Sequence, residues 1–421
     1  MTEKACRSAF VINSGAFMPD GDQNSAVQDQ STDLQDNAPG RYQSPSGVTG
    51  TQVVRLPGMQ TDSGYTFQEL EISYMTLGRL SPRRDNAILI CHALSGNAHV
   101  AGISPNSGRP GWWDFHVGPG RSIDTNRYFV ICSNVIGGCN GSTGPTSLNP
   151  ETGQPWRMHF PPVTIRDMVR AQTRLIDHLG IETLFAAIGG SMGGMQSMVW
   201  GVDYPERVRY VVPIASCMAH SAMQIAFNEV GRQAIISDPQ WNKGNYSSDA
   251  KPDTGLAVAR MMGHVTYLSE FSMDKKFGRR IQRPAEPEDI FPDFYRVESY
   301  LKHQGHSFVE RFDPNSYLYI TKALDRFELF AESQTEVETK LARVGAGFLV
   351  VSFDSDWLYP PSQSRELTRM LKKAGKQVSY VNLQTPYGHD SFLIYNVEFS
   401  RILKGYLNNR YQRLSALETA S

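Results

Sequence analysis

Residues 184–195 read Leu-Phe-Ala-Ala-Ile-Gly-Gly-Ser-Met-Gly-Gly-Met, and no other stretch limits the possible folds as much. An apolar run of strand length meets Gly189-x-Ser191-x-Gly193. Met195-Gln196-Ser197-Met198-Val199-Trp200 then opens a helix. A tight strand-to-helix turn of this kind lifts a serine above the end of a sheet. Its backbone is strained there, and the neighbouring positions must be small so that strand and helix can close on each other. The new helix points unpaired N–H groups and its positive dipole end at the serine. The Met192 N–H is therefore assigned as an oxyanion donor. Gly-x-Ser-x-Gly alone is common in strand–helix turns. The flanking strand and helix raise this instance above that background.

The rest of the chain supplies a sheet for such a turn. Val53 to Leu77 alternates with glycine breaks, as antiparallel strands do. Ala87–Cys91, Tyr128–Cys132, Tyr210–Ala215, Gly347–Phe353 and Val378–Leu383 are apolar runs suited to strands buried on both faces. Helical spacing covers Thr164–Leu179, Ser362–Lys373 and Asn396–Leu414. Strands alternating with helices predict an α/β protein with a mainly parallel central sheet flanked by helices. From His220 to about Phe330 the pattern turns helical, with a charged, proline-bearing interruption at Lys275–Glu288. This block is expected to be an inserted lid over the active edge of the sheet. The expected organisation is a disordered extension over 1–50, a core over 51–219, the lid over 220–331, and the second part of the core over 332–421. The extension is rich in Ser, Gln, Asp, Asn and Gly and cannot bury enough apolar surface to offset its ordering entropy.

A serine hydroxyl needs a base to take its proton, and the base needs an acid to orient it. In a sheet built around such a turn, chain order runs serine, carboxylate, histidine. After the run ending at Phe353, Asp354-Ser355-Asp356 offers two acids. After the next strand, Tyr387-Gly388-His389-Asp390 offers one histidine, and none follows it. Ser191 is assigned as nucleophile, His389 as general base and acid, and Asp356 as orienting carboxylate, with Asp354 as the second choice. His92 follows the first buried strand in His92-Ala93-Leu94-Ser95-Gly96. Its place in chain order is wrong for the base, so it reads as structural. The same loop is placed to supply the second oxyanion donor, from the Leu94 N–H. The glycine-dense Gly137–Pro145 loop is expected to pack its backbone closely near the site. It lacks the Lys-Ser/Thr ending of a phosphate loop.

Composition narrows the setting. Among 421 residues, 40% are hydrophobic and 20% charged, as in globular enzymes. A net charge of −1 and a pI near 6.8 give no reason to expect nucleic acid or an anionic membrane as partner. No apolar run approaches a membrane span, and no secretory signal is visible. Five scattered cysteines, at 6, 91, 132, 139 and 217, argue for a reducing compartment and a cytoplasmic protein. Cys91 and Cys132 read as small core residues. The remaining histidines lack the spacing of a metal site, and neither metal nor resident cofactor is expected.

The segments Gly111-Trp112-Trp113, Ser142-Thr143-Gly144-Pro145, Gly189 to Gln196, Tyr204-Pro205-Glu206-Arg207, Ala226-Phe227-Asn228-Glu229-Val230, Met262 to Ser269 and Asp356-Trp357-Leu358-Tyr359-Pro360 together resemble the homoserine O-acetyltransferase (MetX) family. The resemblance runs from about residue 53 to 408. It implies an α/β-hydrolase core with a helical lid and a homodimer joined through the lids. The implied reaction is acetyl transfer from acetyl-CoA, as co-substrate, to the hydroxyl of L-homoserine in methionine biosynthesis. Arg260 is then implied as the cation for the homoserine carboxylate, with Arg232 as an alternative, and Asp390 as the anion for its ammonium. Leu358 stands where succinyl-using relatives tend to carry arginine, so acetyl is the expected acyl group. Succinyl transfer to homoserine or serine, and simple ester hydrolysis on the same fold, are the competing readings.

Overall fold

The computed structural model describes residues 50–105, 107–247, 249–282 and 295–419. The N-terminal extension expected over 1–50 lies outside them except for Gly50, and so does much of the proline-bearing interruption.

Ten strands are present among the described residues: β1 (Gln52–Pro57), β2 (Glu69–Leu77), β3 (Ala87–Cys91), β4 (Val117–Gly118), β5 (Ile123–Asp124), β6 (Phe129–Ser133), β7 (Leu184–Gly190), β8 (Val208–Ile214), β9 (Gly347–Phe353) and β10 (Val378–Leu383). Eight form one sheet in the order β1-β2-β6-β3-β7-β8-β9-β10. The first two are an antiparallel pair in the register Leu56↔Leu70, and β2 pairs antiparallel with β6. Every later pairing is parallel. The central strands β3, β7 and β9 are buried along their whole length, as continuous apolar runs require. The short parallel pair β4–β5 stands apart from the sheet and has no counterpart in the sequence reading.

Helices α1 (Ile165–His178) and α2 (Met192–Asp203) cover one face. Thr164 starts α1 through a reciprocal cap: its hydroxyl accepts the Asp167 N–H at 3.1 Å, and the Asp167 carboxylate accepts the Thr164 N–H at 2.9 Å. Met168, Leu175, Met198 and Trp200 fill the core on this side. Between β8 and β9 come α3 (Ala222–Ile236), α4 (Asp253–Tyr267), α5 (Glu270–Lys276), α6 (Arg296–Val309), α7 (Pro314–Asp325) and α8 (Gln334–Arg343). After β9 follow α9 (Pro361–Lys373) and, after β10, α10 (Val397–Thr419), which runs past the expected end at Leu414. Phe399, Leu403 and Leu407 of α10 close the opposite face against Ile88 and Ile188. Burial of each such side chain contributes roughly 1.5–3 kcal/mol.

β8 and β9 are neighbours in the sheet although more than a hundred residues separate them. Ile214 pairs with Val351, and the Ala215 N–H reaches the Val351 carbonyl at 2.8 Å. The chain therefore leaves the sheet after β8, builds the helical block, and re-enters beside its point of departure. The glycine-dense loop is held by β2. Ser142 and Thr143 accept the Ser73 and Glu71 N–H groups of β2 at 2.9 and 2.8 Å, which pins the loop to the antiparallel edge.

Candidate active site

The turn after β7 has the geometry its sequence requires. Ser191 sits at φ 57°, ψ −123°, a conformation that costs a non-glycine residue about 1–3 kcal/mol. Two bonds hold it there. The Ser191 N–H donates to the Ile214 carbonyl at 2.9 Å, and the Ser216 hydroxyl donates to the Ser191 carbonyl at 2.9 Å. A Cβ on Gly193 would lie 2.0 Å from the Cys91 carbonyl oxygen, and one on Gly189 would lie 2.3 Å from the Gly193 backbone. The first turn of α2 thus rests directly on the end of β3. The Met192 peptide and the loop carrying Leu94 are brought to one place, and Leu94 lines the cavity that also contains Ser191.

The loops after β9 and β10 meet beside this turn. His389 Nδ1 is 2.7 Å from Asp356 Oδ2, and both side chains are buried. The other carboxylate oxygen of Asp356 accepts the Tyr359 N–H at 2.8 Å. The Tyr359 ring stacks on the His389 imidazole, with centroids 4.6 Å apart and planes 19° apart. Phe392 meets His389 edge-on at 5.6 Å and lies against Gly190, where an added Cβ would come within 2.5 Å of the ring. Asp354, the second choice for the acid, is exposed and accepts the Thr385 N–H. The structure brings Asp356 to His389 and leaves Asp354 outside.

His92 is fixed as a neutral imidazole. Its Nε2 accepts the Val135 N–H at 3.1 Å, so its Nδ1 carries the proton donated to the Ala93 carbonyl at 2.8 Å. Burial pushes its pKa down to about 4. With both ring nitrogens committed to backbone groups, it braces the loop.

Above Ser191 lies a small cavity of about 50 Å³. Leu94, Leu358, Phe227, Met262, Tyr267 and Tyr317 supply much of its wall, and no Lys or Arg is among its described lining residues. Arg260 of α4 sits at its margin. Its guanidinium is 4.7 Å from the Phe308 ring centroid and 5.7 Å from that of Tyr267, and Nη1 donates to Ser95 Oγ at 3.3 Å. Its Nε is buried without a partner, a donor left over for an anion. Burial raises the Asp390 carboxyl above its ordinary range, while the charges of His389 and Arg260 pull the other way. Arg232, the alternative cation, is 2% exposed and already committed to Glu229 at 2.6 Å and Asp325 at 2.7 Å. It has no face to offer a substrate.

A second, larger cavity of about 740 Å³ includes Arg157, Lys251 and Arg311 in its wall. Arg311 also donates to the Ser95 carbonyl at 3.2 Å, which places it beside the loop that carries Leu94. Cys139 and Asn140 of the glycine-dense loop line this larger cavity. Cys91 and Cys132 are fully buried, and burial raises both thiols. Among the described residues no group of three His, Cys, Asp or Glu side chains is arranged to hold a metal ion.

Sequence reasoning passed over Tyr359, His220 and Tyr267. Tyr359 had a usable signal, since it stands three residues after Asp356 in the same motif. His220 had none: its partners lie 105 and 139 residues away.

Comparison with known proteins agrees with this geometry. A family model described as alpha/beta hydrolase fold matches residues 86–394. A homoserine O-acetyltransferase of Rhodospirillum rubrum is 55% identical over 365 residues, which cover 86% of this chain and 93% of that protein. The crystal structure of homoserine O-acetyltransferase from Bacillus anthracis superposes with a TM-score of 0.78 at 29% identity, covering 86% of this chain and 98% of the other. The crystal structure of an esterase superposes at 0.77 with 30% identity, covering 85% and 99%. With a serine at a strained turn, a buried carboxylate–imidazole pair beside it and relatives matched over nearly their whole length, the chain belongs to the homoserine O-acetyltransferase family of α/β hydrolases.

Proposed function

We propose that the protein transfers an acetyl group from acetyl-CoA to the hydroxyl of L-homoserine through an acyl-serine intermediate, as a cytoplasmic enzyme of methionine biosynthesis. The observation that carries this reading is the 2.7 Å Asp356–His389 bond beside the strained Ser191, under a small cavity with no Lys or Arg among its described lining residues. His389 takes the Ser191 proton as Oγ attacks the thioester carbonyl. The Met192 and Leu94 N–H groups receive the oxyanion. The thiolate leaves and takes a proton from His389. Homoserine enters with its carboxylate toward Arg260 and its ammonium toward Asp390. His389 then removes its hydroxyl proton, and the second tetrahedral intermediate collapses to ester and free Ser191.

The cavity volume supports acetyl over succinyl. A succinyl group brings a second carboxylate, which needs a counter-cation that none of the lining residues supplies. Arg157, Lys251 and Arg311 in the larger cavity suit the phosphates of the CoA body. The inserted helices act as a lid that keeps water from the acyl-enzyme. They also carry exposed Met223, Val230, Val258, Val265 and Phe271, an apolar surface in keeping with a homodimer joined there.

The similarity to an esterase supports one rival, in which water is the acceptor. A thiol-release assay with acetyl-CoA separates the two. Release that depends on L-homoserine, and is slow with L-serine or with succinyl-CoA, is expected. Rapid hydrolysis of p-nitrophenyl acetate with indifference to homoserine supports the esterase. Equal or faster turnover of succinyl-CoA overturns the choice of donor.

A further inference from the structure

A second carboxylate–imidazole pair lies near the first, with His220 in the wall of the small cavity. The His220 side chain is 2% exposed, with Nδ1 3.3 Å from Asp325 Oδ1 and Nε2 2.7 Å from the Tyr359 hydroxyl. Asp325 is itself anchored. Asn228 Nδ2 donates to it at 2.7 Å, and Arg232 forms an ion pair with it at 2.7 Å. Burial works to raise the Asp325 carboxyl, but bonds from His220 and Asn228 and the Arg232 charge hold it below its ordinary value. A carboxylate can only accept, so in the neutral His220 ring the proton sits on Nδ1. Nε2 then holds a lone pair, and the Tyr359 hydroxyl donates to it.

Tyr359 is therefore held at one end and touches the reactive groups at the other. Its hydroxyl is tied to His220 and lies beside the Ser191 side chain. Its ring lies flat on His389, and its N–H binds Asp356. A chain of contacts thus runs from α3 and α7 of the inserted block, through His220 and Tyr359, to the catalytic imidazole. Without the anchor the ring can tilt or slide, and the imidazole stacked on it loses its fixed plane. It would also leave His220 Nε2 buried without a donor.

We propose that Asp325 and His220 are positioning residues for acyl transfer: acting through the Tyr359 hydroxyl, they hold the Tyr359 ring and with it the His389 imidazole in the reactive orientation. The proposal rests on Ser191, His389 and Asp356 being the catalytic set. His220 also lines the small cavity, and an unchanged KM separates positioning from substrate contact.

The test is a double-mutant cycle on the full chain, read by the p-nitrophenyl acetate burst that reports acylation of Ser191. Tyr359→Phe keeps the ring and removes the anchor, and His220→Ala removes the acceptor. Each is expected to slow acylation about ten- to hundred-fold, with KM changed by less than about two-fold. The double variant should fall no further, because His220 acts only through that hydroxyl. His220→Gln places an amide oxygen near the lost Nε2 and should recover most of the rate. The far-downfield proton resonance of the His389–Asp356 bond should move or broaden in both single variants. Multiplied losses in the double variant, an unmoved resonance, or wild-type acylation by Tyr359→Phe each overturn the proposal. Whether Ser191→Ala abolishes the burst is the separate test of the catalytic set, so the two readings fail in different ways.

Discussion

Replacing Asp356 with asparagine changes one atom at the centre of the site, and the structure fixes what that atom must do. One carboxylate oxygen faces His389 Nδ1 at 2.7 Å, and the other accepts the Tyr359 N–H at 2.8 Å. An amide offers one acceptor and one donor. If its NH₂ turns to Tyr359, two donors face each other in a buried space, at a cost of about 1–3 kcal/mol. If it turns to His389, the imidazole must carry its proton on Nε2 and can no longer accept one from Ser191. The charge is lost in both cases. Imidazolium and carboxylate about 4 Å apart at an effective dielectric of about 20 attract by about 4 kcal/mol. Losing that attraction in the transition state lowers the rate about a thousand-fold. The side chains are close in volume, so Tm should change little. The assay is acetyl-CoA thiol release with homoserine, alongside the nitrophenyl acetate burst. Asp354→Asn is the control, and this exposed substitution should leave both rates near wild type. A loss of less than about ten-fold in Asp356→Asn, or a comparable loss in Asp354→Asn, would refute the assignment of the orienting acid.

Gly193→Ala should disrupt the serine turn. Its Cβ would stand 2.0 Å from the Cys91 carbonyl oxygen, where about 3.3 Å is the ordinary limit, and the overlap should cost about 3 kcal/mol or more. Calorimetry and the burst assay should both register it. Leu358→Arg adds a cation to the wall of the small cavity and should shift the ratio of succinyl-CoA to acetyl-CoA turnover upward about ten-fold; an unchanged ratio would remove Leu358 from the donor pocket. Acid should weaken the fold through His92, whose pKa falls to about 4 from 6.5. The unfolded chain binds a proton below pH 6.5 that the folded chain refuses down to about pH 4. The contribution is therefore complete above pH 6.5 and lost as pH falls through that window, by roughly 3 kcal/mol in all. Tm measured from pH 7 to 4 should fall, and less steeply in His92→Gln.

Features governed by local pattern were legible in the sequence. Val378–Leu383 is a strand with the expected ends, and Ser191 stands at the turn its glycines require. The order of Ser191, Asp356 and His389 along the chain anticipated that Asp356 and His389 would pair beside the serine turn, because parallel strands deliver successive loops to one end of a sheet. Pairings between distant segments left no such trace. His220 sits on a chain segment that reads as an ordinary helix approach, and only the folded chain shows Asp325 on one side of it and Tyr359 on the other. The glycine-dense loop is a related case. Its composition foretold close packing, but its partner is the antiparallel edge at Glu71 and Ser73. Arg232 and Arg260 look alike in sequence, and only burial against Asp325 and Glu229 removes the first from consideration.

The excursion between β8 and β9 begins and ends at adjoining strands, so whatever is built between them hangs from a closed frame. Its helices can lengthen, shorten or exchange side chains while Ile214 and Val351 keep their register. Apart from the Asp325, Asn228 and Arg232 side chains that anchor His220, the roof can thus vary while the floor is kept. A lineage could re-roof this chamber for a different alcohol, or open it to water, without redesigning the floor.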